Sequence, residues 1–132
     1  MISVIYAVVS ALLIVWLSFR VIKLRRKNRI SIGDGRNSEL KIAIAAQSNA
    51  IEYIPIALLL LFALEYNNAN IFLVHILGLM LITGRIVHAR GILSEKLNIR
   101  VVGMQITIFS IIGLSISNLL YLPYEKLFSF WS

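Results

Sequence analysis

The chain contains no cysteine, and this absence excludes three kinds of site. A protein without thiols has no disulfide framework, no thiolate metal ligand and no cysteine nucleophile of its own. Charged residues are also scarce, at 14% of the 132 residues, whereas 59% are hydrophobic. The mean hydropathy of +0.86 is far too high for a water-soluble domain of this size. The composition therefore predicts an integral membrane protein, in which any sulfur chemistry must come from a bound ligand.

Four apolar segments are long enough, or nearly so, to cross a bilayer. A hydrocarbon core of about 30 Å needs about 20 apolar residues per helix. The segments cover residues 2–22, 42–64, 70–86 and 101–122, and we expect the third helix to continue into the interface, to residue 90. The first segment has no preceding positive region and no cleavage pattern, so it is predicted to remain as an anchor. The predicted fold is all-α, one four-helix membrane bundle over residues 1–132.

The basic residues are distributed unevenly along the chain. Eight of the 13 Lys and Arg residues lie between Arg20 and Lys41, four lie between Arg85 and Arg100, and none lies between the second and third segments. The positive-inside rule then predicts that the first and third loops are cytoplasmic and that both termini lie on the opposite side. A net charge of +7 is compatible with nucleic-acid binding, but no soluble domain is left to read a groove. We therefore expect membrane lipid, and not nucleic acid, as the partner of these charges.

The second segment carries polar residues at the depth of the bilayer. Asn49 and Glu52 are three residues apart, so they share a helix face with Ala45. A carboxylate in the middle of a membrane costs about 2.5–3.5 kcal/mol, so we expect Glu52 to face the bundle interior and to mark a functional site. The alternative is structural: both side chains would only make interhelical hydrogen bonds, worth about 1 kcal/mol each.

A second polar group follows the third segment. Arg85 and His88 are three residues apart and share a face, while Arg90 points elsewhere. The alternative for Arg85 and Arg90 is that both snorkel to the interface without a further role. No metal site is predicted, because His75, the other histidine, lies at least three turns away from His88.

Small residues form a stripe on the fourth segment, which predicts close helix packing. They recur at steps of three and four: Gly103, Thr107, Ser110, Gly113 and Ser117. Together with the polar face of the second segment, this stripe offers more packing surface than four helices use among themselves. That surplus favours association of several copies of the chain.

The motifs resemble those of one family, the membrane-associated proteins in eicosanoid and glutathione metabolism (MAPEG). The family's second helix carries Arg-x-x-x-Asn-x-x-Glu, often continued by Tyr-x-Pro, and "AAQSNAIEYIP" matches it at Asn49, Glu52, Tyr53 and Pro55. Its third helix carries Arg-x-x-His or Arg-x-x-Tyr, which "GRIVHARG" resembles. The resemblance covers the four-helix layout from end to end.

The resemblance implies a homotrimer of four-helix bundles in an inner membrane, with glutathione as co-substrate between neighbouring subunits. The implied activity is that of a glutathione transferase or peroxidase acting on small lipophilic electrophiles. The implied ligand-binding residues are Lys41, Gln47, Asn49, Glu52, Tyr53, Arg85 and His88. The implied catalytic residues are Arg85 and Arg100, with Arg100 one residue out of register with the family's later arginine.

The chain departs from the family motif at its first position, where Ala45 replaces the arginine. The nearest cation on that side is Lys41, one turn earlier. This loss favours a second hypothesis, a non-enzymatic scaffold that binds a lipid or a partner protein, as in the family's lipoxygenase-activating branch. A small multidrug transporter is a third hypothesis, but the essential glutamate of that class lies in the first helix, and this first segment has none.

Overall fold

The computed structural model describes residues 1–131 and consists of four long helices followed by one short helix. Their bounds are α1 (Ser3–Asn28), α2 (Ser38–Tyr66), α3 (Ile71–Leu93), α4 (Leu97–Leu120) and α5 (Tyr124–Phe128). A single 3-10 turn, Ser129–Trp131, completes the described chain. The first four helices are each long and apolar enough to cross a membrane. The described residues contain no strand, so the all-α prediction is confirmed.

The helices extend beyond the apolar segments at the end that carries the basic residues. α1 continues through the cluster of arginines and lysines to Asn28, and α2 begins four residues before its apolar segment. At the start of α2, the side-chain oxygen of Asn37 accepts a hydrogen bond from the backbone N–H of Leu40 at 2.9 Å. Charged side chains are solvated at the membrane interface. A helix can therefore continue past the end of its apolar segment into the basic residues.

The helices run antiparallel, so two loops lie together at one end of the bundle. The turns at residues 29–37 and 94–96 form this end, called here the basic end, where Leu24, Glu39 and Glu95 line one shared pocket. α2 and α3 occupy the middle of the bundle: α2 contacts the three other long helices, whereas α1 and α4 pack mainly on α2 and α3. Buried leucines from each helix, including Leu17, Leu61 and Leu81, fill the core.

α3 and α4 approach most closely, and glycine makes this approach possible. A Cβ added to Gly84 would lie 2.7 Å from the Thr107 hydroxyl, and one added to Gly103 would collide with the backbone of His88. The small-residue stripe of α4 therefore packs against α3 within the same chain, with Thr107 and Ser110 fully buried. The expectation that this stripe is surplus surface for contact between copies was wrong, because α3 already occupies it.

Candidate functional site

A buried arginine joins the three helices α2, α3 and α4. Arg85 Nη1 donates to the side-chain oxygen of Asn49 at 2.6 Å, and Arg85 Nε donates to Thr107 Oγ1 at 3.0 Å. Thr107 in turn donates to the carbonyl of Gly103 at 2.9 Å. The carbon at the centre of the guanidinium lies 5.1 Å from the ring centroid of Tyr53, within the range of a cation–π contact. Arg85 thus contacts both Asn49 and Tyr53 from the interior of the bundle and fixes the positions of their side chains.

The charge of Arg85 is not compensated by a carboxylate in the described chain. The residue is only 2% exposed, and its Nη2 atom has no hydrogen-bond partner among residues 1–131. The groups that it does contact are an amide, a hydroxyl and a phenol ring. Because the residue is buried, the snorkelling alternative was wrong for Arg85, whereas Arg90 is exposed at the basic end.

Glu52 lies on the outer surface of the bundle, not in its interior. It stands midway along α2, 14 residues from Ser38 and 14 from Tyr66, and it is exposed, with no hydrogen bond to residues 1–131. The expectation that it faces the interior of its own bundle was wrong. Residues three apart on a helix are separated by about 60° around its axis. Because Asn49 faces Arg85, Glu52 lies at the edge of that face, toward the outside of the bundle. A carboxylate in this position is unsatisfied by its own chain.

His88 is buried and links α3 to the start of α4. It is 2% exposed, and its Nδ1 lies 2.8 Å from the carbonyl oxygen of Arg100. The other ring nitrogen, Nε2, has no partner among residues 1–131. Since the ring bonds to the backbone of Arg100, His88 fixes the position of the residue from which the Arg100 side chain extends.

An open cleft of about 360 Å³ lies at the basic end, on the side of α2 and α4. The exposed cations Lys41 and Arg100 both line it, as do Ala45 and the carboxylate residue Glu95. The volume is within the range of small-ligand sites. The structure therefore brings Lys41 and Arg100, which the resemblance implies as a ligand-binding and a catalytic residue, into one cleft, together with Ala45, where the family motif has its arginine.

Gln47 lies apart from these residues. Its side-chain amide donates to Ser18 Oγ of α1 at 2.9 Å. Gln47 is five residues from Glu52, which turns it about 140° around the helix axis. Pro55 likewise faces α1, where it lines an apolar groove with Ala11 and Leu58. Within one chain, Gln47 therefore lies off the surface that carries Glu52, whereas Pro55, three residues from Glu52, borders it.

Two residues of the site were not found as site residues from the sequence. Thr107 completes the hydrogen bonding of Arg85, although the stripe pattern indicated only a packing role for it. Glu95 lines the cleft from the turn between α3 and α4, and no pattern pointed to it. The available signal for Thr107 was Arg85, which lies four turns from the start of α3. When an arginine is buried, its donors need acceptors on the facing helix.

Comparison with known proteins agrees with this architecture. The model of the MAPEG family matches residues 3–120. The inner membrane protein YecN of Escherichia coli strain K12 is 43% identical over 129 residues, which cover 98% of each chain. YecN of Escherichia coli O6:H1 matches with the same identity and coverage. The family model and these relatives extend over nearly the whole four-helix bundle, and the chain belongs to the MAPEG family.

Proposed function

We propose that this chain binds glutathione at the surface of α2 between neighbouring copies and transfers it to lipophilic electrophiles. The observation that carries the proposal is the exposed carboxylate of Glu52, which lies in the middle of a membrane-spanning helix without a partner in its own chain. Such a charge is costly against lipid, so it marks a functional site. The γ-glutamyl ammonium of glutathione supplies the missing positive charge.

The remaining groups of glutathione match the cations of the basic end. At 1.5 Å per residue, Ala45 lies about 10 Å and Lys41 about 16 Å from Glu52 along the axis of α2. An extended tripeptide spans about 10 Å. With its ammonium at Glu52, the ligand keeps the carboxylate of the same carbon beside Glu52, and its glycyl carboxylate reaches the level of Ala45. Lys41 extends to that glycyl carboxylate from the lining of the adjoining cleft. The amide of Asn49, oriented by Arg85, supports the peptide groups.

Arg100 is the candidate for thiolate stabilisation. Lowering a thiol pKa from about 8.5 to about 6.5 increases the thiolate fraction at pH 7 about 25-fold, but it lowers intrinsic nucleophilicity about eightfold. The net gain is about threefold. Most of the acceleration must then come from holding the thiolate beside an electrophile concentrated in the lipid. The sulfur forms the new C–S bond, and the electron pair of the broken bond leaves with the departing group.

The proposal includes assembly and orientation. Contact with a second copy covers Glu52 and closes the open cleft, and a homotrimer, as the family resemblance implies, repeats this contact three times. The positive-inside rule places the basic end in the cytoplasm and both termini on the opposite side. The inner membrane is the proposed location, because the related YecN is named an inner membrane protein.

The second candidate function is a lipid- or partner-binding scaffold without catalysis. Ala45 favours it, because the cleft lacks the arginine that opens the family motif. Arg85 does not replace that arginine, since it is 2% exposed beneath Asn49 and Tyr53. Under this hypothesis the purified protein carries a lipid in the groove between copies and binds no glutathione.

Calorimetric titration of the detergent-purified protein tests glutathione binding, with two ligands and two variants. Glutathione should bind the wild type, and Glu52→Gln should weaken binding by about 1.5–3 kcal/mol, the worth of a charged hydrogen bond. Deamino-glutathione lacks the ammonium, so it cannot form the ion pair with Glu52. It should therefore bind the wild type and Glu52→Gln with equal affinity. Glu65→Gln removes the same charge from α2 outside the site and should leave the affinity unchanged.

Two outcomes would contradict the proposal. If the wild type shows no heat at millimolar glutathione, the scaffold hypothesis replaces it. If Glu52→Gln weakens glutathione and deamino-glutathione to the same extent, Glu52 shapes the site without holding the ammonium. Catalysis is tested separately, by thioether formation from glutathione and a lipophilic aryl halide in vesicles that contain the protein.

A further inference from the structure

A second groove lies at the basic end, on the side of α1 and α3, and it shares no lining residue with the cleft of Lys41. Its volume is about 560 Å³, and it lies between α1 and the turn that joins α3 to α4. Three cations line it: Arg20 of α1, Arg90 of α3 and Lys96 of the turn between α3 and α4. Glu95, between Arg90 and Lys96 in the sequence, does not line this groove. It lines the cleft of Lys41 and also the pocket that Arg20, Leu24 and Glu39 share.

The three cations of this groove are uncommitted within the described chain. None of the residues that line the groove is acidic. The side chains of Arg20, Arg90 and Lys96 are exposed and form no hydrogen bond or ion pair with residues 1–131; Arg20 only lies over the ring of Trp16, at 5.4 Å. Cations on three separate elements that converge without a counter-ion form a binding surface for an anion.

The groove is polar at its rim and apolar at its floor. Trp16 lies one turn deeper than Arg20, Val87 three residues deeper than Arg90, and Ile99 three residues deeper than Lys96. At 1.5 Å per residue, these side chains start about 4–6 Å further into the membrane than the cations. A ligand that fits must therefore carry negative charge at the interface and hydrocarbon below it.

We propose that this groove binds an anionic phospholipid, with the phosphate held by Arg20, Arg90 and Lys96 and the acyl chains against Trp16, Val87 and Ile99. Basic pockets between membrane helices are suited to such headgroups. No side-chain hydrogen bond joins α1 to the turn between α3 and α4 among the residues that line this groove. The bound lipid supplies that connection. The proposal is independent of glutathione binding, because none of these residues lines the cleft of Lys41.

Quenching of Trp16 fluorescence tests the site directly. The chain has two tryptophans, so Trp131→Phe leaves Trp16 as the only one. The protein is placed in phosphatidylcholine nanodiscs that contain a small fraction of phosphatidylglycerol with brominated acyl chains. Brominated phosphatidylglycerol should quench Trp16 more strongly than the same fraction of brominated phosphatidylcholine. Equal quenching by the two lipids would overturn the proposal.

Charge removal tests the contribution of the three cations. A triple variant, Arg20→Gln with Arg90→Gln and Lys96→Gln, should lower the apparent affinity for phosphatidylglycerol about 100-fold, at about fivefold per residue. The matched control removes three exposed cations of the same end of α1 that do not line the groove: Lys23→Gln, Arg26→Gln and Lys27→Gln. An equal loss in the control would show attraction by the whole surface and would contradict a site.

Two further arms complete the test. Inorganic phosphate at the same concentration should not displace brominated phosphatidylglycerol, and full displacement would identify a free-anion site in place of a lipid site. If the triple variant does not fold, the single variants Arg20→Gln and Lys96→Gln decide, since their side chains make no hydrogen bond within residues 1–131. Each should still lower the affinity about fivefold, and unchanged affinity in both would overturn the proposal.

Discussion

At the end of the bundle that holds the amino terminus, the carboxylate of Glu65 is fully engaged, whereas midway along the same helix, α2, Glu52 has no partner in its chain. Glu65 accepts hydrogen bonds from the backbone N–H of Ile2 at 2.5 Å and of Ser3 at 2.8 Å, and it also accepts one from the Ser3 hydroxyl. It therefore satisfies the free donors at the start of α1. Glu52 accepts no hydrogen bond from residues 1–131.

Other polar groups follow the same division. At the amino-terminal end, Tyr6 bonds to Nδ1 of His75 at 2.6 Å, and Asn118 donates to the carbonyl of Leu60 at 2.9 Å. Toward the basic end, Arg85 Nη2 and His88 Nε2 lack partners within residues 1–131. The hydroxyl of Ser10 also lacks one, but burying a neutral hydroxyl costs less than burying a charge. Polar groups that a chain pairs internally serve stability. Among these unpaired groups, Arg85 and His88 are buried, whereas Glu52 is exposed and so accessible to a ligand or a partner.

The largest expected effect comes from making the same substitution at the two glutamates, Glu65 and Glu52. Glu65→Gln replaces one acceptor oxygen by a donor and removes the charge that Ile2 and Ser3 need, so it should cost about 3 kcal/mol. The thermal midpoint in mild detergent should fall by about 10 °C. Glu52→Gln should leave the midpoint unchanged or raise it, because the variant removes an unpaired charge. Equal losses from both variants would contradict the distinction between the paired and the unpaired glutamate.

The second expected effect is a gain of function at the basic end. Ala45→Arg places a guanidinium in the cleft beside Lys41 and Arg100, at the level that a tripeptide bound to Glu52 reaches. Glutathione affinity should rise about tenfold, equivalent to about 1.4 kcal/mol, because the fork binds a carboxylate bidentately. Ala46→Arg is not a fair control, since Ala46 is buried, and Ser48→Arg would lie on the same helix face between Ala45 and Glu52. Ser31→Arg serves instead, because it adds a cation to the exposed loop of the basic end outside the cleft. A similar gain from Ser31→Arg would indicate nonspecific attraction.

Part of this arrangement was accessible from the sequence. The number of helices followed from the apolar runs, because each run has the length of a bilayer crossing. The shared face of Arg85 and His88 followed from their spacing of three residues, and both are buried against α4. These features depend only on local periodicity, which one helix determines by itself.

The direction in which each face points was not accessible. The rotation of α2 about its axis depends on how its neighbours pack. The sequence therefore placed Glu52 inward, and the resemblance assigned Gln47 to the same ligand, whereas the structure has Glu52 exposed and Gln47 bonded to Ser18. The stripe of α4 was read as surplus for the same reason, since its partner is the backbone of α3. Lipid tails and the apolar surface of another helix are equally hydrophobic. Hydropathy therefore does not distinguish a helix face that contacts lipid from one that contacts another helix.

A smaller loss is expected from a single hydrogen bond at the amino-terminal end. Tyr6→Phe keeps the ring, which packs closely on Gly78, but removes the hydroxyl bonded to His75. Stability should fall by about 1 kcal/mol, measured as a shift of the thermal midpoint, and glutathione affinity should not change. A loss of affinity would mean that the paired end also communicates with the site.

The smallest expected effect concerns Gln47, which the resemblance assigns to the ligand and the structure assigns to Ser18 of its own chain. Gln47→Leu removes one interhelical hydrogen bond, worth about 0.6 kcal/mol in membrane proteins, and exposes no charge. Ser18→Ala removes the same bond from the other side and is the matched control. If Gln47 only joins α1 to α2, both variants should shift the thermal midpoint slightly and leave glutathione affinity unchanged. A loss of affinity in Gln47→Leu but not in Ser18→Ala would instead place this amide at a ligand held by a neighbouring copy, and the site would then include the α1 side of α2 as well as the face of Glu52.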